Sequence, residues 1–158
     1  MRLLFKQRFF SWLDSYDIYD DTGAVVYTVE GQIAWGHKLA ILGPSGNEIG
    51  MVREEILTLL PRFALSVGTH EIGEVRKEFT FFRPSFRLDC MGWQVDGNFM
   101  EWEYSITNDA GQPIAAISKE ILNWTDTYVL NIYDDSNALY VLMIALAIDA
   151  AKCSSRQG

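Results

Sequence analysis

Between Leu3 and Tyr133, apolar and polar side chains alternate in short runs rich in Val, Ile, Tyr, Phe and Trp, interrupted by clusters of Gly, Asn, Asp and Pro. Alternation with a period of about two is the mark of half-buried strands. Asp20-Asp21-Thr22-Gly23 separates Tyr16–Tyr19 from Ala24–Glu30, and Gly43-Pro44-Ser45-Gly46-Asn47 separates Lys38–Leu42 from Glu48–Glu54. Both read as hairpins, because Gly and Asn supply the positive φ that tight turns require. Gly68-Thr69-His70, Asp96-Gly97-Asn98 and Asn108-Asp109-Ala110-Gly111 are expected to be turns of the same kind. A seven-residue pattern recurs at Ile49–Glu55, Ile72–Glu78 and Ile114–Glu120: aliphatic first and fourth, Gly or Ala second, charged at the end. Each copy follows a turn, as equivalent strands leaving equivalent hairpins would. Twelve strand candidates precede the last long element.

That element breaks the pattern. From Ala138 to Ile148 eleven apolar residues follow without interruption, and a helix apolar on every side has to be surrounded. A membrane span needs roughly 20 mostly apolar residues, so this run is short for lipid and suited to a core. Asp134, Asp135, Ser136 and Asn137 precede it and Asp149 and Lys152 follow, which predicts a capped soluble helix over about 137–152. Asp149, facing other elements near the helix end, should need a basic or hydrogen-bonding partner. A twelve-stranded antiparallel sheet gains by closing on itself, and such a barrel has room for a helix roughly 10 Å across. The fold expected is mainly β with one central helix, in a single domain over residues 1–158.

Composition adds limits. A chain of 158 residues buries about two thirds of its unfolded surface, so disulfides are not required. Cys90 and Cys153 have no metal or redox spacing and read as packed thiols. Lys6 and Arg8 interrupt the N-terminal apolar run, which argues against an export signal and for the cytoplasm. The Asn123-Trp124-Thr125 sequon then reads as chance. A net charge of −8 disfavours nucleic acid and any general attraction to anionic surfaces.

Candidate chemistry is sparse. His37 and His70 lack ligand neighbours, and no nucleophile elbow, phosphate loop or dinucleotide fingerprint is present. No cofactor, metal or catalytic residue is therefore assigned. Asp17, Asp20 and Asp21 suit hairpin turns better than a calcium loop. Glu101 and Glu103 are read as a solvated strand face opposite core-facing Trp102 and Tyr104. Trp12, Trp35, Trp93, Trp102 and Trp124 are read as barrel packing. The densest basic stretch, Arg83-Pro84-Ser85-Phe86-Arg87 with Lys77 before it, is interleaved with Phe79, Phe81 and Phe82. Lys77, Arg83 and Arg87 form the candidate anion site, since guanidinium forks suit phosphate. The same residues would also suit a strand corner whose arginines pair with nearby acids.

A set of fragments in this order resembles the LURP-one-related family, as found in bacteria. They are Phe5-Lys6-Gln7-Arg8-Phe9-Phe10-Ser11, Tyr16-Asp17-Ile18-Tyr19-Asp20-Asp21-Thr22-Gly23, Val26–Gly31, Gly36-His37-Lys38-Leu39, Leu57–Phe63, Lys77–Pro84 and Leu146-Ala147-Ile148-Asp149. The resemblance covers nearly the whole chain. It implies a closed antiparallel twelve-stranded barrel like the tubby C-terminal domain and the phospholipid scramblases, enclosing a hydrophobic C-terminal helix. It also implies a non-enzymatic cytoplasmic binding or scaffold module whose partner is a phospholipid headgroup or a protein, without an integral membrane span. The alternative it implies is a membrane-associated, scramblase-like protein with its terminal helix at the bilayer.

Overall fold

The computed structural model describes residues 1–6, 14–32, 34–122 and 125–154. Twelve strands run in sequence: β1 (Arg2–Lys6), β2 (Ser15–Tyr19), β3 (Val25–Gln32), β4 (Lys38–Leu42), β5 (Glu48–Glu54), β6 (Arg62–Val67), β7 (His70–Glu78), β8 (Ser85–Cys90), β9 (Gln94–Asn98), β10 (Glu103–Thr107), β11 (Pro113–Leu122) and β12 (Thr125–Ile132). A 3₁₀ turn, Asp135–Asn137, then leads into the helix α1, Ala138–Ser154. Asp134 Oδ1 starts this turn by accepting the Ser136 backbone N–H at 3.0 Å. The helix thus begins one residue after the expected position, the polar residues before it being spent on the turn.

All twelve strands belong to one antiparallel sheet, ordered β8-β7-β6-β5-β4-β3-β2-β1-β12-β11-β10-β9. The first strand is central because it pairs with the last, from Arg2 opposite Asn131 to Lys6 opposite Thr127. Its bond to β2 is slight, with Leu4 opposite Tyr19 as the paired position. The sheet curls until its two edges, β8 and β9, lie side by side without pairing in the ladder. The Trp93 backbone N–H donates to the Cys90 carbonyl at 2.9 Å in the turn that joins them. The barrel is therefore nearly closed, with a seam at β8 and β9 in place of a full ring of hydrogen bonds.

Inside lies α1. Every residue from Val141 to Ile148 has no exposure at all, the condition predicted for a helix apolar on each face. The wall is lined by the inward positions of successive strands, among them Leu3, Ile18, Val29, Ile41, Val52, Leu65 and Val75, all at 0% exposure. Each large aliphatic side chain removed from water in this way contributes about 1.5–3 kcal/mol. At Gly50 the wall comes so near the helix that an added Cβ would sit 3.1 Å from Met143 Sδ. The three seven-residue copies fall on β5, β7 and β11, strands that run in the same direction, as equivalent positions in the meander.

Three expectations are corrected. Asp96-Gly97-Asn98 is not a turn but the end of β9; a Cβ at Gly97 would lie 2.4 Å from the Glu103 carbonyl oxygen, so the glycine admits β10 rather than bending the chain. Trp35 is 88% exposed instead of packed in the barrel. Glu101 lies in the turn before β10 and not on a strand, although Trp102 and Tyr104 are buried as expected. Trp93 is also buried, while Trp12, Trp124 and Asn123 lie outside the described residues. Cys90 is buried, and the Cys153 side chain also lies outside the described residues.

Candidate functional site

An antiparallel meander sends successive loops to opposite ends, and here the two ends differ in kind. One end is formed by residues 20–24, 43–47, 68–69, 91–93, 108–112 and 133–137, mostly tight polar turns. Asp20 shows why they are tight: its Oδ1 accepts from the Thr22 hydroxyl at 2.6 Å and from the backbone of Thr22 and Ala24. These bonds hold its carboxyl below the usual range, the Thr22 hydroxyl foremost. The other end is formed by residues 34–37, 55–61, 79–84 and 99–102 among the described segments, and it carries the candidate site.

The three sequence-predicted cations do not share one surface. In β7 and β8 the buried positions are Val75, Phe86, Leu88 and Cys90. Side chains alternate along a strand, so Lys77, opposite Phe86, shares the inward parity of Val75, whereas Arg87, opposite Arg76, points outward. Lys77 and Arg83 line one recess of about 390 Å³ with Leu60, Phe81 and Met100. Arg87 instead lines the seam, beside Ser85, Trp93 and Val95. The loop between β7 and β8 is shaped by the Thr80 hydroxyl, which donates to the Arg83 carbonyl, and by an edge-to-face contact of Phe79 with Phe81 at 5.5 Å.

Their charges are not absorbed locally. Outside the recess Arg62 reaches Glu55 at 3.5 Å and Glu74 at 3.6 Å, and Arg76 also reaches Glu74 at 3.6 Å. Those arginines behave as the strand-corner reading expects. Among the described residues, Lys77, Arg83 and Arg87 form no such ion pair, which leaves Lys77 and Arg83 able to receive an anion in one place.

Sequence reasoning missed the apolar character of this end. Leu57, Leu59 and Phe82 are 98–100% exposed, and Trp35, Phe79 and Phe81 are also largely in solvent. Their loops touch one another. Gly36 sits so close to Ile56 that a Cβ there would meet Ile56 Cγ2 at 3.0 Å, and the recess joins the 55–61, 79–84 and 99–102 loops. Leu57 holds a φ of 65°, a left-handed turn rare for a branched side chain. The available signal was Ile56-Leu57-Thr58-Leu59-Leu60-Pro61, an apolar run closed by Pro between two strand patterns.

Beneath these loops, at the C-terminal end of α1, lies a buried polar group. Asp149 is 7% exposed, and burial pushes its carboxyl up to about 7, with Lys152 pulling weakly the other way. The hydroxyls of Tyr16 and Tyr104 are buried and have no hydrogen-bond partner among the described residues, and burial followed by the charge of Asp149 raises both. Lys152 donates to the Phe99 carbonyl and lies 4.3 Å over the Trp102 ring, which itself packs on Tyr128 at 4.0 Å. The expected basic neighbour of Asp149 is thus Lys152, one turn onward. A second recess of about 490 Å³ opens beside the weak β1–β2 junction, between Lys6, Tyr16, Asp17 and Asp21.

Among the described residues, no helix is long and apolar enough to cross a membrane. The X-ray structure of the Arabidopsis thaliana protein AT5G01750 shares the fold, with a TM-score of 0.61 at 15% identity over 94% of this chain and 90% of that one. The uncharacterized protein YxjI of Bacillus subtilis (strain 168) is 31% identical over 150 residues, covering 94% of this chain and 92% of its own. Residues 1–149 match the LURP-one-related family model, a span that takes in every described strand and most of the buried part of the helix, and the chain belongs to that family.

Proposed function

We propose that this chain is a non-enzymatic binding or scaffold module of the cytoplasm that recognises a phospholipid headgroup through the recess between Lys77 and Arg83. The observation that carries this reading is that two cations, Lys77 and Arg83, line one recess with a single carboxylate, Glu78, and form no ion pair among the described residues. A filled barrel leaves its exterior for recognition, since α1 occupies the lumen. The competing partner is a protein, bound at the same end. A scramblase-like role with the helix at the bilayer would require α1 to leave the barrel, and its burial from Val141 to Ala151 lends that version no support.

Calorimetric titration with soluble headgroups, inositol phosphates and glycerophosphoglycerol, tests the reading. Lys77→Glu with Arg83→Glu should weaken binding at least about tenfold, as expected for loss of charge-assisted bonds to phosphate. Arg87→Glu, on the other recess, should leave it unchanged. Absence of headgroup binding, or equal binding by the Lys77/Arg83 variant, would remove the headgroup.

A further inference from the structure

We propose that the loop end bearing Trp35, Leu57, Leu59, Phe81 and Phe82 is a membrane-contact surface that seats the barrel on the interfacial zone of an anionic bilayer, its acidic end turned to solvent. The proposal deepens the reading of the chain as a module that binds through this end, and names the physical form of the partner.

The distribution of exposed apolar side chains is the first support. Seven large hydrophobic residues among those described are more than 70% exposed: Trp35, Leu57, Leu59, Phe79, Phe81, Phe82 and Ile121. Six lie on loops of this end and Ile121 lies near the same end of β11. Exposure of single apolar residues is ordinary, whereas a concentration of nearly bare Leu, Phe and Trp side chains on adjoining loops marks a contact surface. The form of the surface points to lipid. The side chains project from three separate loops and the recess between them is shallow, so no single groove is shaped for a peptide or helix. Trp, Phe and Leu beside Lys and Arg are the side chains favoured where hydrocarbon meets headgroups.

Charge supplies the orientation. The six turns at the far end hold Asp20, Asp21, Asp109, Asp134 and Asp135 and not one Lys or Arg, so that even with Arg2 reaching Asp21 at 3.1 Å and the Met1 ammonium reaching Asp135 at 2.8 Å this end keeps an acidic excess. At the apolar end Lys77 and Arg83 stand among Phe79, Phe81 and Phe82. A chain of net charge −8 approaches an anionic surface at least electrostatic cost with the acidic turns pointing away. Phosphate contact by the two cations then coincides with insertion of the adjoining rings.

The test uses the full chain and sedimentation with vesicles of phosphatidylcholine alone or mixed with phosphatidylglycerol. Binding should be stronger to the mixed vesicles. Leu59→Glu combined with Phe82→Glu, both at solvent-exposed positions where folding should survive, should weaken it at least about tenfold, given the transfer free energy of two such side chains. Tyr133→Glu, an exposed site at the acidic end, should leave it unchanged. Brominated lipid should quench tryptophan emission less in Trp35→Phe than in the native chain. Failure of the native chain to bind either vesicle, or equal binding by the Leu59/Phe82 variant, overturns the proposal. So does a dimer in analytical ultracentrifugation that the same variant splits without any vesicle binding, which would make this end an interface between copies. Headgroup titration separates the two readings: vesicle binding sensitive to Leu59 and Phe82 without affinity for soluble headgroups keeps the contact surface and loses the recess, and the reverse keeps the recess alone.

Discussion

Lys152 Nζ donates to the Phe99 carbonyl oxygen at 2.6 Å, pinning the last turn of α1 to the turn between β9 and β10. The contact places a positive charge one helical turn from Asp149, on the same face. Even so, burial outweighs that charge, and the carboxyl is held protonated to about pH 7.

A pH dependence of stability follows. An unfolded carboxyl titrates near about 3.9, so between that pH and about 7 the native state keeps a proton that the unfolded chain has released. Stability attributable to Asp149 therefore falls as pH rises through this window and levels off above it, a total of about 4 kcal/mol. Asp149→Asn should be more stable than the native chain by about 2–4 kcal/mol at alkaline pH, with the gain shrinking toward acid. Urea unfolding across the window checks this; parallel curves for the two chains would refute it.

Helix truncations should be costly on every face. Leu142 and Ile144 lie roughly 200° apart around α1, yet both are wholly buried. Leu142→Ala and Ile144→Ala should each cost about 2–5 kcal/mol in chemical denaturation. An amphipathic helix on the barrel surface would instead tolerate one of the two.

Two glycines are required by the approach of neighbouring strands. A Cβ at Gly73 would lie 2.2 Å from the Asp89 carbonyl oxygen and 2.7 Å from Cys90 Cα, and Gly97 meets β10 in the same way. Because those atoms are backbone, the strands must move. Gly73→Ala and Gly97→Ala should each lose about 3 kcal/mol or more, measured by thermal or urea unfolding. Gly46→Ala, with nothing within 4 Å, should show the smaller strain of its φ of +79°.

Cys90 should be inert in the native state. It is buried, and burial followed by the neighbouring Asp89 pushes its thiol up to about 11. In a Cys153→Ser background, native labelling at mildly alkaline pH should run at least about a hundredfold slower than for an unfolded thiol, on thiolate fraction alone. Rapid labelling would show that the seam beside Cys90 opens readily.

Most of the architecture was legible because it depends on local pattern. Lys38–Leu42 and Glu48–Glu54 are strands with the bounds that their flanking turns imply, and the unbroken apolar run announces a helix that must be enclosed. The candidate site was legible in composition and not in arrangement. Whether Lys77 and Arg87 share a surface depends on the register across residues 79–84, and that register sets Lys77 opposite Phe86 and Arg87 opposite Arg76. Exposure was harder still. Trp35, Leu59 and Phe82 have the composition of core residues, and what places them in water is the end of the barrel to which their loops are sent, a property of the whole meander.

The partnership of β1 with β12 and the position of α1 after both have a consequence for biosynthesis. A ribosome delivers the wall before the rod that fills it, and the opening strand waits for nearly the whole chain to appear before it meets its main neighbour. Assembly of this molecule is thereby tied to the synthesis of α1, and nascent chains halted before Ala138 would emerge as hollow sheets with greasy linings, natural clients for holding chaperones.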